Sequence, residues 1–319
     1  MQTPGHYLDI ISEGLESLDI PAEPRGLYAP IRYALEAGGK RIRPMLTLAT
    51  ADALGLPPEE ALPQALALEV FHNFTLLHDD IMDGAEVRRG QPTVHCRWNQ
   101  NTAILSGDAM LSYATMLATR GLDADKIMPV LHLFSKTAME VFEGQQLDMD
   151  FEERRNVPVD EYLEMIRLKT SVLLGCATKT GAICAGADAE TADAFYNYGV
   201  YLGLAFQIKD DLLDTFGDPM LFGKAIGGDI LQEKKTWLLI NALAEEPNVA
   251  KLLGPTAHPS EKIEHVRDAY RRLNLDIRAQ QLVRQYLDMA INALPEHKLS
   301  PSATAFFTDL ANKSAVREN

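Results

Sequence analysis

Two short acidic runs, Asp79-Asp80-Ile81-Met82-Asp83 and Asp210-Asp211-Leu212-Leu213-Asp214, carry the chemistry most visible in this chain. Each reads Asp-Asp-x-x-Asp within apolar, helix-favouring sequence. On a helix the first and last Asp lie one turn apart on one face, and the middle Asp lies about 100° round. Carboxylates crowded in this way repel one another, so a cation must compensate them. Mg²⁺ is the simplest candidate, a hard ion that binds one or two carboxylates together with substrate phosphates. A single acidic cluster is most simply a solvated face. Two copies of identical spacing, 131 positions apart, point to a metal–diphosphate site.

Basic and polar residues answer the acids. Gly38-Gly39-Lys40-Arg41-Ile42-Arg43-Pro44 sets three cations at a junction between two helices. Its glycines permit close backbone approach, and a following helix N-terminus favours anions. As a basic helix end, the same run would only complement the dipole. Arg88-Arg89-Gly90 follows the first acidic run and offers planar, permanently charged recognition of phosphate. Lys169-Thr170 puts a charge inside an apolar helix, which is costly unless paired. Lys224 follows the second run in a Gly-rich loop, and Asp229 with Lys234-Lys235 completes the set. One of those two lysines is expected at the surface. His72 and Gln207 lie upstream of the runs on the same helices, His72 two turns before Asp79. His78, beside Asp79, receives no role.

The elements that must position these groups are helical. Apolar periodicity predicts helices over Tyr7–Leu18, Leu27–Ala37 with Gly38-Gly39 as its stop, and Pro44 (at N1) to about Leu54. A long segment runs from Pro57 to Asp83, ended by Gly84, and a polar loop spans Arg88 to Pro92. Further helices are expected at about 101–119, 125–150, 159–186 and 189–215. Gly217 to Gly228 reads as a loop. Leu231–Ala244 is helical, 261–293 is one long helix or two, and 301–312 closes the chain. No run alternates like a strand, so the class is all-α. No low-complexity linker interrupts it, which favours one domain over residues 1–319. The two acidic helices are expected to face each other across a cavity, as metal sites in helical bundles are built.

Composition narrows the partners. With 45 acidic and 30 basic side chains the formal net charge is −15, which argues against a nucleic-acid surface. Cys96, Cys176 and Cys184 lack metal or disulfide spacing. No signal peptide or membrane-spanning run is evident, and the expected location is the cytoplasm.

Taken in order, these blocks resemble the trans-type isoprenyl diphosphate synthases, or polyprenyl synthetases, over essentially the whole chain. The resemblance rests on Gly38-Gly39-Lys40-x-x-Arg43-Pro44; on His72 with Leu76-Leu77-His78-Asp79-Asp80-x-x-Asp83; on Arg88-Arg89-Gly90; on Lys169-Thr170; and on Phe206-Gln207-x-x-Asp210-Asp211-x-x-Asp214 with Lys224, Asp229 and Lys234. It implies a single all-α domain, an isoprenoid-synthase-type bundle around a deep central cavity, working as a homodimer. It also implies Mg²⁺-dependent head-to-tail condensation of isopentenyl diphosphate with an allylic diphosphate. Carried over by position, Asp79, Asp83 and Asp210 are Mg²⁺ ligands, with Asp80, Asp211 and Asp214 in support. Lys40, Arg43, His72 and Arg89 hold isopentenyl diphosphate. Arg88, Lys169, Thr170, Gln207, Lys224 and Lys234 hold the allylic diphosphate.

Product length depends on cavity depth. The resemblance places the pocket floor five residues before the first Asp, at Phe74, and a bulky floor implies a product of fifteen or twenty carbons. A helical wheel instead aligns Thr75 and Phe71 more closely with Asp79 than Phe74. The first run lacks the two-residue insertion of the usual bacterial farnesyl type, and Thr75 is not aromatic, which tilts the expectation toward geranylgeranyl diphosphate. A terpene cyclase would need a different second metal motif and no isopentenyl diphosphate site. A His/Asp phosphohydrolase would need further clustered ligands, and a non-catalytic homologue would have lost one acidic run.

Overall fold

An apolar period near 3.6 residues dictates helix throughout, and the computed structural model, which describes residues 1–217, 226–255 and 258–316, is built almost wholly from helices. Among the described residues the only strands are the paired dipeptides Val87–Arg88 and Gln91–Pro92. The all-α class follows.

The chain divides into two units. The first comprises Met1–Lys136, Cys176–Phe195 and His297–Ser300. It holds α1 (Pro4–Glu16), α2 (Arg25–Glu36), α3 (Ile42–Ala53), α4 (Leu62–Met82), α5 (Val94–Arg97) and α6 (Gln100–Ala118). Local chemistry sets their starts. Asn99 caps α6 by accepting from the Thr102 N–H at 2.8 Å, and Thr3 caps α1 by accepting from the His6 N–H. Helix α4 is the centre of this unit, packed between α3 and α6, with Ala65 to Phe71 buried without interruption. Gly107 lets α6 approach so closely that a methyl there would sit 2.6 Å from His78 Cδ2 and closer still to the ring Nε2.

The second unit comprises Thr137–Gly175, Tyr196–Glu296 and Pro301–Asn319. It contains α8 (Val159–Ile166) and the later helices Trp237–Glu245, Pro259–Arg272, Leu275–Ala293 and Pro301–Val316. Helices α7 (Ala124–Glu153), α9 (Val172–Cys184) and α10 (Ala189–Phe216) give the residues on either side of their unit boundaries. Within this unit the buried Tyr198 hydroxyl donates to the Phe307 carbonyl at 2.8 Å.

Several expectations shift in detail. The third helix starts at Ile42 rather than Pro44, because Arg41 takes a left-handed conformation (φ 48°) as its N-cap. The segment from Pro57 opens as a separate 3₁₀ turn, Pro58–Ala61. The region 159–186 is not one regular helix, since Arg167–Ser171 form a π-helical turn. The region 261–293 is two helices, separated by Asn274 at φ 53°. The polar Arg88–Pro92 loop is a tight hairpin. Most of the expected loop from Gly217 to Gly228, including Lys224, lies outside the described residues.

Candidate active site

In the first unit the site grows from the end of α4. Asp79 and Asp80 occupy its last turn, Asp83 is its C-cap, and Gly84 (φ 62°) stops it in the left-handed conformation that glycine tolerates. Asp80 is buried, whereas Asp79 keeps 19 % of its side chain accessible and Asp83 is exposed. Arg88 spans the pair. Its Nε donates to Asp80 Oδ1 at 2.6 Å, and a terminal nitrogen lies 3.5 Å from Asp79 Oδ2. Burial raises the Asp80 pKa, and the Arg88 charge offsets only part of that rise.

The two arginines separate because their hairpin turns on two residues of positive φ, Arg89 (53°) and Gly90 (75°), the torsions of a tight β-hairpin turn. Arg88 reaches the acidic run. Arg89 donates to the Gly38 carbonyl and lies against Gly39, where a methyl would come within 2.8 Å of the guanidinium carbon. Tyr33 on α2 donates to the Pro92 carbonyl at 2.7 Å, and Thr93 Oγ donates to the Ala85 carbonyl at 2.7 Å, which ties the hairpin down at both ends.

The glycine-rich turn sorts its own cations. Arg41 points inward, donating to the buried carboxylate of Glu69 and, at 2.6 Å, to the Leu35 carbonyl. Glu69 also accepts from Asn73 Nδ2 at 3.0 Å. Lys40 precedes the Arg41 N-cap of α3, and Arg43 lies in its first turn. His72 is held neutral well into the acid range, first by the protein enclosing it and then by the charges of Arg43, Arg89, Arg88 and Arg41. It keeps part of its surface accessible within that ring of guanidiniums. Of the residues proposed from sequence for isopentenyl diphosphate, Arg43 and Arg89 thus act on His72, and Lys40 follows the Gly39 against which Arg89 lies.

Phe74 is 4 % exposed, with its ring T-shaped against His78 (centroids 4.9 Å apart) and tilted against Phe71. Phe71 in turn meets Phe134 edge-on at 5.3 Å. Thr75 stays half-buried and donates to the His72 carbonyl at 2.8 Å.

In the second unit α10 presents Gln207 and the second run. Asp211 is fully engaged. Its Oδ2 accepts the Tyr162 hydroxyl at 2.5 Å, and its Oδ1 accepts Gln207 Nε2 at 3.2 Å. Gln207 Oε1 accepts the Thr170 hydroxyl at 3.1 Å, and Lys169 Nζ donates to Asp148 at 2.6 Å. Asp214 accepts the Asp229 N–H at 2.9 Å. Burial drives Asp211 and Asp229 well above the usual carboxylate range, against the pull of Lys234. Burial also acts on Asp148, yet the Lys234 and Lys169 ammoniums overcome it and hold that carboxyl below its ordinary value. Tyr162, Lys169, Thr170, Gln207, Asp211 and Lys234 line one small cleft.

Sequence reasoning missed four supporting residues. Glu69 had a legible signal, a charge inside the apolar run Ala65 to Phe71. Asp148 was hidden among the other acids of 148–153, and Tyr162 and Tyr33 look like ordinary core aromatics. All the carboxylates are hard oxygen donors of the kind Mg²⁺ takes. Among the described residues no three His, Cys, Asp or Glu side chains close into a protein-only metal cage. That donor set fits an ion whose remaining ligands are phosphate oxygens and water.

The comparisons agree with this chemistry. The family model described as polyprenyl synthetase matches residues 24–273. A geranylgeranyl pyrophosphate synthase from Geoglobus acetivorans is 40% identical over 312 residues, covering 97% of each chain. A geranylfarnesyl diphosphate synthase from Natronomonas pharaonis is 39% identical over 271 residues, 79% of each chain. A crystal structure of a geranylgeranyl pyrophosphate synthase superposes with a TM-score of 0.95 at 43% identity, covering 100% of both chains. Two acidic runs with their guanidiniums and ammoniums, on a fold shared from end to end with such enzymes, establish that the chain belongs to the polyprenyl synthetase family and is a prenyltransferase that makes short-chain prenyl diphosphates.

Proposed function

We propose that the enzyme condenses isopentenyl diphosphate head-to-tail with an allylic diphosphate to give an all-trans product of fifteen to twenty carbons, with the twenty-carbon geranylgeranyl diphosphate favoured. Lys40, Arg43, His72 and Arg89 hold the isopentenyl diphosphate. Arg88, Lys169, Thr170, Gln207 and Lys234 hold the allylic diphosphate, together with Lys224. Asp79, Asp83 and Asp210 are the residues that would hold Mg²⁺, braced by Asp80, Asp211 and Asp214. The bound ion would neutralise charge developing on the departing diphosphate.

The cations share that task as the allylic C–O bond breaks. The allylic cation needs apolar surroundings that keep water from quenching it. The isopentenyl double bond attacks it, and loss of a proton restores an allylic product able to re-enter. The observation that carries this reading is the arginine hairpin. Its two adjacent guanidiniums serve different groups, Arg88 the acidic run and Arg89 the glycine turn beside Lys40.

We further propose that residues 1–319 act as one catalytic domain, in a cytoplasmic homodimer. The exposed apolar residues Ile104, Leu105 and Met116 of α6 support such an assembly. Light scattering should return twice the 35.3 kDa chain mass, and a monomer at working concentration would reject the dimer.

The central test is incubation with Mg²⁺, isopentenyl diphosphate and dimethylallyl, geranyl or farnesyl diphosphate, followed by chromatography. Twenty-carbon product is expected to dominate. No elongation from any starter would refute the synthase reading, whereas products beyond twenty carbons would refute only the role of Phe74 as floor.

A further inference from the structure

The π-helical turn Arg167–Ser171 holds Lys169 and Thr170, and two glycines make room for it. A methyl built on Gly144 of α7 would fall 2.7 Å from the Lys169 Cα, with the Lys169 nitrogen closer still. A methyl on Gly203 of α10 would fall 2.5 Å from the Ser171 Cα. Both obstacles are backbone or Cα atoms, which cannot swing aside as a flexible side chain can. The register closes on the Val172 N–H, which donates to the Arg167 carbonyl five residues back.

The side chains extend the pattern. Asp148, which accepts from Lys169 Nζ, lies four residues after Gly144 on α7. Gln207, which accepts from the Thr170 hydroxyl, lies four residues after Gly203 on α10. Residues four apart share one helix face. Each flanking helix therefore meets the turn twice, a glycine receiving its backbone and a polar residue receiving its side chain. In the continuous α-helix expected for 159–186, the backbone would carry one residue fewer through this stretch, and Lys169 and Thr170 would not keep the same pair of partners. π-turns of this kind are inserted singly and recur at functional sites.

We infer that Gly144 and Gly203 are positioning residues for the prenyl transfer. They hold the π register that aims Lys169 and Thr170, and they act through those two side chains without touching substrate. The inference rests on the reading that Lys169 binds the allylic diphosphate. Alanine is the better helix former, so a glycine kept only for helix content would be replaced at no cost.

The test is steady-state kinetics of Gly144→Ala, Lys169→Gln and their double variant, with each substrate varied in turn. Lys169→Gln should depress kcat/KM for the allylic substrate, and unchanged allylic kinetics there would refute the underlying reading. Gly144→Ala should lower allylic kcat/KM by about 10²-fold, the scale of a misplacement near 1 Å, with KM for isopentenyl diphosphate unchanged. The double variant should be no worse than Lys169→Gln alone. If Gly144→Ala fails to unfold cooperatively, Gly203→Ala replaces it, paired with Thr170→Ala. Wild-type allylic kinetics in a folded glycine variant would overturn the inference, as would losses that multiply in the double variant.

Discussion

Tyr162 and Asp211 show how a carboxylate of the second acidic run can be fully occupied by the protein itself. Both oxygens of Asp211 already accept hydrogen bonds, so its part is to hold α10 in place beside Asp210. Tyr162→Phe keeps the ring and removes one charge-assisted hydrogen bond. The expected loss of stability is about 1.5–3 kcal/mol by denaturant unfolding. The Mg²⁺ concentration for half-maximal activity should rise by about 10–100-fold, the usual effect of losing a group that orients a metal-binding carboxylate. A stability loss with an unchanged Mg²⁺ requirement would make the tyrosine purely architectural. At this scale the acids and most cations were legible, because charge is conspicuous in apolar sequence. Their braces were not, since a buried tyrosine looks alike whether its hydroxyl meets a carbonyl or a carboxylate.

At the scale of elements, the turn before α3 and the arginine hairpin form one device, and its glycines can be told apart. Gly38 (φ 77°) has open space around its missing side chain, whereas Gly39 (φ 133°) lies beneath the Arg89 guanidinium. Gly39→Ala should raise KM for isopentenyl diphosphate by about tenfold, near 1.4 kcal/mol, and leave the allylic KM unchanged. Gly38→Ala should show backbone strain alone, as a lower melting temperature with unaltered substrate constants. Equal kinetic effects at the two positions would show that the close approach of Arg89 to Gly39 has no part in binding. The helices around this device were readable to within a few residues from periodicity and stop signals. The left-handed Arg41 and the π-turn were not. Arg41 is fixed by the distant Glu69, and a π-turn alters side-chain periodicity over only five residues.

For the whole molecule, an excess of acid coexists with substrates that are themselves anions. The −15 charge is a global sum, and the structure answers it locally with guanidiniums around His72 and ammoniums beside Asp148. Titration should show both localities. Asp229 is raised from 3.8 to about 7 by burial and then by neighbouring carboxylates, so its contribution to stability is fully present below about pH 4 and lost as pH climbs toward 7. His72 has the opposite sign. Its folded pKa is lowered from 6.5, so its contribution is present above that value and lost as pH falls below it.

If the proposed Mg²⁺ site is right, Mg²⁺ with inorganic diphosphate should relieve the crowded carboxylates, with an effect that grows where they are ionised. The gain in melting temperature is expected to be larger at pH 8 than at pH 6. A ligand at 100 times its dissociation constant supplies about 2.7 kcal/mol. Equal shifts at the two pH values would show that the buried carboxylates do not meet the ion.

The two-residue turn of the arginine hairpin also constrains how this protein can evolve. Arg89 and Gly90 are the whole of the turn, so adding or removing a residue between Arg88 and Gln91 would change the turn type and with it the direction in which Arg89 leaves the backbone. A point substitution at Phe74 changes one wall of α4 and can be accommodated by small steps. A change in hairpin length would rebuild the turn that sets Arg89 against Gly39 and would disturb the pairing that holds Arg88. Substitutions at Phe74 can thus be made one at a time, whereas an insertion or deletion in this short turn acts on the whole loop that carries Arg89.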